Sequence, residues 1–455
     1  MTQQLIMSLT EQRRYFDSGA TFSKEFRLTQ LKKLRHSVVA NEEKILAALT
    51  TDLGKPRLEA YASEIAPIIS ELDYAIVKLK AWLKPRKVAT PLKLFRSTSY
   101  ITMQPLGCVL IIAPWNYPFQ LLLAPLIGAL AAGNCVVVKP SELTPTVATV
   151  ISELLSSCFA PEYVTVINGD GAQVVPDLIR HGSFNHVFFT GSPRVGQLIA
   201  GECASRLIPY TLELGGKSPA IVDSSASLAI TAKRLVWSKF FNAGQTCIAP
   251  DYVLVEAAVY PQLLKELCQA IHQFRLDQLG TMSKIVNDAH FARLTGYLAD
   301  GEIICGGKYD QTTRQITATI ISKIKLESEL LNNEIFGPLL PVISYSNQDE
   351  LLKIIRNKRY PLTCYIYSQN QQFINSILSR IECGSCGINI GLYQFANHHL
   401  PFGGVMTSGQ GRYHGKASFE LFSNPVSVID CALVPDLTLK YPPYTRFKEW
   451  LFRKV

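Results

Sequence analysis

Residues 101–138 carry no charged side chain, which commits that stretch to an apolar interior. A membrane-spanning helix needs about 20 consecutive apolar residues, but Gly107, Pro114, Pro118, Pro125, Gly128 and Gly133 interrupt the run throughout. Punctuation this dense predicts buried strand, loop, buried helix and buried strand inside a folded domain. The alternation continues downstream. Short apolar runs at 109–112, 135–138, 164–168 and 186–190 are spaced by helical segments. A second series follows at 220–222, 252–255, 303–305, 341–345 and 362–367. Strands buried on both faces and separated by helices predict parallel sheets covered on each side, an α/β fold. Upstream, residues 8–80 show helical periodicity, as in Ile45, Leu49 and Leu53, or Ile65, Ile68, Ile69 and Leu72. Pro85 and Pro91 end that pattern and open an extended segment near 93–103, and 426–430 reads as a further strand.

At 455 residues the chain exceeds what one hydrophobic core supports, so at least two domains are expected. Its 47% apolar and 18% charged content excludes a disordered chain. The net charge of +9 is scattered, with local clusters at Lys32, Lys33 and Arg35 and near the C-terminus. No basic stripe with interleaved aromatics marks a nucleic-acid groove, so no nucleic-acid partner is expected. Eleven irregularly spaced cysteines fit reduced thiols in a cytoplasmic protein better than a disulfide framework. Residues 1–14 lack the pattern of a secretory signal. Cys383-Gly384-Ser385-Cys386 is a C-x-x-C, but no second pair or histidine cluster completes it, so no metal site is expected.

Chemistry concentrates at Gly244-Gln245-Thr246-Cys247-Ile248, where a cysteine follows a glycine-led turn instead of sitting in an apolar run. Upstream, Glu213 lies in Leu212-Glu213-Leu214-Gly215-Gly216-Lys217, an acid between leucines that is costly to bury without a role. A thiol that ionises and a carboxylate that accepts protons are what covalent acyl chemistry requires. The residues alone leave a second reading open, an ordinary buried cysteine and an acid paired with Lys217. Spacing does not say whether the two side chains meet.

Further motifs stand in order around Cys247. They are Pro114-Trp115-Asn116-Tyr117-Pro118, Val138-Lys139-Pro140-Ser141-Glu142, Phe189-Thr190-Gly191-Ser192, Glu334-Ile335-Phe336-Gly337-Pro338 and Pro401-Phe402-Gly403-Gly404. With the Glu213 and Cys247 segments, these resemble the aldehyde dehydrogenase superfamily over nearly the whole chain. Cys247-Ile248-Ala249-Pro250-Asp251-Tyr252, Tyr413-His414-Gly415, Tyr441-Pro442-Pro443-Tyr444 and the short length are similar to its class-three branch of fatty and aromatic aldehyde dehydrogenases. The resemblance implies two Rossmann-like parallel-sheet domains plus a small bridging β-sheet. Residues 1–80 and 104–208 would form the NAD-binding domain and 209–417 the catalytic domain. Residues 81–103 and 418–440 would form the bridging and oligomerisation segment, and 441–455 a C-terminal tail. A homodimer is implied, with NAD as cofactor and NADP as the alternative.

Carried onto matching positions, the resemblance makes Cys247 the nucleophile that forms a thiohemiacetal and then a thioester. Glu213 becomes the general base for hydrolysis, and Asn116 a donor to the oxyanion beside the amide of Cys247. Gly191-Ser192-Pro193-Arg194-Val195-Gly196 is neither the dinucleotide fingerprint nor a P-loop, and alone reads as a helix start capped by Ser192. The resemblance implies that Gly191, Ser192, Val195 and Gly196 meet the cofactor pyrophosphate, and that Trp115 belongs to the same contacts. Lys139 and Glu142 resemble the pair that holds the adenosine ribose, where a carboxylate disfavours the extra phosphate of NADP. Glu334 and Phe336 resemble the residues that position the nicotinamide ribose and ring.

Three departures stand out. Pro193 occupies a position where relatives carry Thr, Met406-Thr407 follows Gly403-Gly404-Val405, and Ile390 stands where Asp is common. The last two are expected near the substrate tunnel or its supporting shell. The aromatic and basic tail is expected to dock on this subunit or on a partner, with a membrane surface as the alternative. No transmembrane segment is expected. The implied activity is NAD(P)-dependent oxidation of aliphatic or aromatic aldehydes to carboxylic acids. The alternatives are a coenzyme A-acylating dehydrogenase, ester hydrolysis by the thiol and base alone, and a non-catalytic protein on the same scaffold.

Overall fold

The computed structural model of the protein describes residues 3–94, 96–358, 360–433 and 440–454. Helices Gln3–Asp17, Lys24–Ala40, Glu42–Leu53 and Ala66–Trp82 open the chain, where the periodicity predicts them. Their inward stripe is Leu31, Leu34, Val38, Ile45, Leu49, Ile68 and Leu72, all buried.

The uncharged stretch becomes strand Ser97–Pro105, strand Cys108–Ile112, a loop, helix Gln120–Ala132 and strand Cys135–Lys139. Every residue of that helix is buried, which is why it carries no polar face. A six-stranded sheet runs in the order Gly409–Gln410, Tyr210–Glu213, His186–Thr190, Cys108–Ile112, Cys135–Lys139, Val164–Val166. It is parallel except for the antiparallel Gly409–Gln410 edge. A seven-stranded sheet runs Glu302–Cys305, Thr319–Ser322, Leu339–Tyr345, Tyr252–Glu256, Pro219–Val222, Thr363–Tyr367, Ser385–Ile388. Only its Glu302–Cys305 edge is antiparallel. A small antiparallel sheet joins Arg86–Val88, Ser97–Pro105 and Ser423–Cys431. The architecture is thus α/β with two parallel-sheet units and a small third sheet, as expected.

The sheets differ from the expected division in one respect. Tyr210–Glu213 and Gly409–Gln410 pair within the first sheet, so that sheet extends past residue 208 and recruits a strand from beyond residue 400. Apolar runs did not flag these strands, nor Thr319–Ser322 and Ser385–Ile388, because they are short and carry Thr, Ser, Glu, Gly or Cys. Of the bridging segment, residues 434–439 lie outside the described residues.

Helix Arg446–Phe452 ends the described chain. Tyr444, Phe447 and Trp450 in and beside it are 79%, 64% and 53% exposed, so of the two expected docking surfaces, this subunit or a partner, these rings do not use the first. Phe447 and Trp450 stack on each other instead, with the Lys454 ammonium over the indole. Among the described residues no helix is long and apolar enough to cross a membrane.

Candidate active site

Strands His186–Thr190 and Tyr210–Glu213 end side by side, with Thr190 in register with Glu213. The carboxyl ends of parallel strands are where open α/β sheets leave room for ligands. Here both ends open onto a pocket that Cys247 also lines. The fold therefore brings Cys247 and Glu213, far apart in sequence, to one cavity.

Cys247 is delivered by a tightly wound turn. After helix Leu228–Phe240, the residues Asn242, Ala243 and Gly244 hold left-handed φ values of 53°, 52° and 72°. Asn and Gly tolerate this region but Ala243 does not, so surrounding contacts must hold the turn. Asn242 N–H donates to Glu59 Oε1 at 2.9 Å, and its Nδ2 donates to the Asn116 carbonyl at 3.0 Å. Gln245, fully buried, donates to the Lys284 carbonyl at 3.1 Å and accepts from Val286 N–H at 3.1 Å. Ala249 N–H then closes a turn onto the Thr246 carbonyl at 3.0 Å. The backbone N–H groups of Cys247 and Ile248 face the Cys247 sulfur.

Asn116 is 3% exposed and does not line the pocket. Its Nδ2 donates to the Gln245 carbonyl at 3.0 Å, so it braces the peptide just ahead of Thr246-Cys247. An amide carries two N–H donors, and an oxyanion contact would use the second. Lys55 and Glu64 support this loop from below as a fully buried ion pair. Lys55 Nζ donates to the Asn116 carbonyl at 2.9 Å and lies 4.1 Å over the Tyr117 ring. Glu64 Oε2 accepts from the N–H groups of Phe119 and Gln120 at 3.1 and 2.9 Å, anchoring the start of helix Gln120–Ala132. Such a pair adds little net stability but fixes geometry. No sequence pattern pointed to Lys55 or Glu64.

Neither Glu213 carboxyl oxygen has a hydrogen-bond partner among the described residues. Burial raises this carboxyl well above its ordinary value, with Arg412 pulling the other way. Lys217, the alternative partner, turns away to pair with Asp251 and to donate to the Leu330 and Asn333 carbonyls at 2.7 and 2.8 Å. Glu213 is therefore not a salt-bridged acid. Burial also pushes the Cys247 thiol up to about 12, with Glu334 and then Glu213 adding to the effect. Glu334 itself is raised to about 8 by burial and by Asp251. Its Oε1 accepts from Gly216 N–H at 3.3 Å, and a Cβ on Gly215 would overlap the carboxylate, which explains the glycine pair.

The rest of the pocket wall is apolar and aromatic: Leu121, Ile248, Leu362, Phe395, Phe402 and Tyr413. Ser63, Tyr117, Gln120 and Thr246 add the polar atoms. Tyr117 and Gln120 lie in or beside the Pro-bounded loop that was the available signal; Ser63 had none. Met406 and Ile390, expected near the substrate tunnel or its supporting shell, are not among the residues that line the pocket. They are 63% and 38% exposed, and Asn389 beside Ile390 is spent bridging Ser368 N–H and carbonyl at 3.0 and 2.8 Å.

The expected cofactor residues lie in two groups. Trp115 and Phe336 meet edge to face at 5.5 Å, next to Glu334 in sequence. At the end of strand Cys135–Lys139, Lys139 pairs with Glu142. Against burial, that ammonium holds the Glu142 carboxyl below its ordinary value. The pair faces Gly171, where a Cβ would stand 3.4 Å from Lys139 Nζ and 3.5 Å from Glu142 Oε1. Ser192 caps helix Pro193–Ala204, its hydroxyl accepting from Val195 N–H at 3.4 Å, and Pro193 fits the first turn. A Cβ on Gly196 would stand 2.8 Å from Leu214 Cδ2, so glycine permits close packing of helix on strand end. A paired ammonium and carboxylate and a capped helix start, both after strands of one parallel sheet, fit a nucleotide with ribose hydroxyls and phosphates.

Comparison with known proteins follows the same lines. The aldehyde dehydrogenase family model matches residues 7–428. The chain is 42% identical to 4,4'-diaponeurosporen-aldehyde dehydrogenase of Staphylococcus aureus over 449 residues, covering 96% of this chain and 97% of the relative. Mouse (Mus musculus) aldehyde dehydrogenase family 3 member B3 is 41% identical over 449 residues, covering 96% and 92%. The structure titled the substrate-bound state of Staphylococcus aureus AldH superposes with a TM-score of 0.96 at 40% identity, covering 100% of both chains.

Proposed function

The chain belongs to the aldehyde dehydrogenase family and is an aldehyde-oxidising enzyme, and from that premise we propose how its own residues carry the reaction. The observation that carries the proposal is that Cys247 and Glu213 line one pocket, with the carboxylate unpaired among the described residues. Cys247 adds to the aldehyde carbon through sulfur, and the thiol proton passes to the pocket's free carboxylate. The N–H groups of Cys247 and Ile248 and the second N–H of Asn116 are the donors for the oxygen that becomes anionic. One such donor is typically worth about two to three powers of ten in rate. The chemistry that a bound nicotinamide supplies is acceptance of hydride. Glu213, its carboxyl raised by burial, releases the thiol proton to solvent and then takes a proton from the water that attacks the Cys247 thioester.

Lys139, Glu142, Gly191, Ser192, Val195 and Gly196 would hold the nucleotide, and Trp115, Glu334 and Phe336 would orient its nicotinamide end. Glu142 supports NAD over NADP, because a second negative group there meets a carboxylate. The apolar, aromatic wall supports aliphatic or aromatic aldehydes as substrates. The same reading takes a homodimer as the assembly. All eleven cysteines are free thiols, which supports a reducing, cytoplasmic setting.

The test is direct. Cys247→Ala is expected to abolish aldehyde-dependent NADH formation while leaving cofactor binding intact, and retained turnover would refute the assignment. Glu213→Gln is expected to slow thioester hydrolysis more than the pre-steady-state burst. Equal loss in both phases would remove its role as base. Product analysis with and without coenzyme A separates hydrolysis from acyl transfer.

A further inference from the structure

The C-x-x-C of the sequence gains a third thiol in the fold. Cys386 lies in strand Ser385–Ile388, at the edge of the seven-stranded sheet, and pairs in register with Cys364 of strand Thr363–Tyr367. In-register residues on adjacent strands point to the same face. Strands about 4.8 Å apart fall within the roughly 4.4–6.8 Å Cα separation that a disulfide spans. Cys364 is 1% exposed, whereas Cys383 and Cys386 are half-buried. The Cys364 and Cys386 sulfurs interact across the strand pair, which holds Cys386 below its ordinary value against the effect of burial. The partly exposed sulfur, Cys386, is the one a solvent oxidant can reach and so the reactive member of the pair.

We propose that Cys386 and Cys364 form a reversible disulfide with a hydroperoxide as oxidant, a thiol modification site separate from the catalytic cysteine. The Cys386 thiolate attacks the peroxide, so an S–O bond forms, the O–O bond breaks, and the departing oxygen leaves as hydroxide or alkoxide. The resulting sulfenic acid is then attacked by the Cys364 sulfur. The S–S bond forms, the S–O bond breaks, and the oxygen leaves as water with the proton from Cys364. Two electrons pass from the sulfur pair to the peroxide, and a dithiol reverses the bond by exchange.

The site touches the pocket through backbone. Gly384, between the two cysteines of the C-x-x-C, packs so closely that a Cβ there would overlap the Gly403 carbonyl and stand 2.7 Å from the Leu362 carbonyl oxygen. Leu362 lines the pocket, and Gly403 lies against the Glu213 carboxyl. Closing Cys386 onto Cys364 therefore pulls on a turn that abuts the wall around Glu213.

The test treats the full chain with hydrogen peroxide, blocks free thiols with N-ethylmaleimide and maps every cysteine by peptide mass. A Cys364–Cys386 cross-link is expected, lost on dithiothreitol treatment and absent in Cys386→Ser. In Cys364→Ser, Cys386 is expected to accumulate as sulfenic acid, trapped by dimedone. A peroxide-treated chain in which Cys364 and Cys386 remain blockable while Cys247 is oxidised would overturn the proposal. So would a cross-link of Cys383 to Cys386 in place of the expected pair. These readouts need no turnover, so their failure is distinct from failure of the catalytic assignment.

Discussion

Gly244 and Gly337 meet backbone to backbone: a Cβ on Gly244 would overlap the Gly337 carbonyl oxygen and stand 3.2 Å from that of Lys239. Gly337 follows Glu334 and Phe336, so this contact ties the turn that presents Cys247 to the segment that presents Glu334. Gly244 also holds φ at 72°, where a side chain is strained whatever the space.

Gly244→Ala therefore combines a backbone clash with an unfavourable φ. The expected cost is at least ~2 kcal/mol of stability, read as a lowered Tm, together with loss of aldehyde turnover. An unchanged Tm with normal activity would show that the two segments can separate freely.

Burial pushes the Cys247 thiol far above its ordinary range, up to about 12. Its thiolate fraction, and so its alkylation rate by iodoacetamide, is expected to rise about tenfold per pH unit from pH 8 to 11. Glu334→Gln removes the largest charged contribution to that shift and is expected to speed alkylation at pH 9–10. A rate that levels off near pH 9 in the wild type would contradict the buried, anionic surroundings of this sulfur.

Lys239 is fully buried, and its ammonium has no hydrogen-bond partner among the described residues. Burial lowers it to about 8 from an ordinary 10.5. Between those pH values the unfolded chain binds more protons than the folded one, so this group's penalty is full below pH 8 and vanishes above about 10.5. Lys239→Met is expected to stabilise the protein by ~3 kcal/mol at pH 7, with the gain shrinking as pH rises to 10. Denaturant unfolding of both proteins at the two pH values checks this. A stability gap that does not change with pH would sink it.

Gln120 lines the pocket, is 4% exposed, and its side-chain amide has no hydrogen-bond partner among the described residues. A site with a polar group waiting for a partner discriminates against ligands that cannot supply one. Gln120→Leu is expected to shift the ratio of kcat/KM between an alkyl aldehyde and its hydroxylated analogue by about tenfold toward the alkyl compound. An unchanged ratio would place the amide outside substrate recognition.

Several parts of this molecule were legible in the amino-acid order. The buried strands and helix of residues 101–138 followed from absent charge and dense Pro/Gly punctuation, because both are local properties of the chain. The Cys247 turn and the acid at Glu213 stood out for the same reason, each being an odd residue for its neighbourhood. Strand Gly409–Gln410 was invisible, since two residues with no apolar pattern become a strand only by pairing with Tyr210–Glu213.

What the sequence by itself determined was the α/β class, the helical opening and the residue types available for acyl chemistry. Only the tertiary structure decided which acids are free. Lys217 stands four residues from Glu213 yet pairs with Asp251, leaving the Glu213 carboxylate buried in the Cys247 pocket with no hydrogen-bond partner among the described residues. The physical reason is that a carboxylate's basicity and a thiol's acidity depend on desolvation and on charges within a few ångströms. Those distances are set by sheet register and loop packing between segments separated in the chain, which no local pattern encodes.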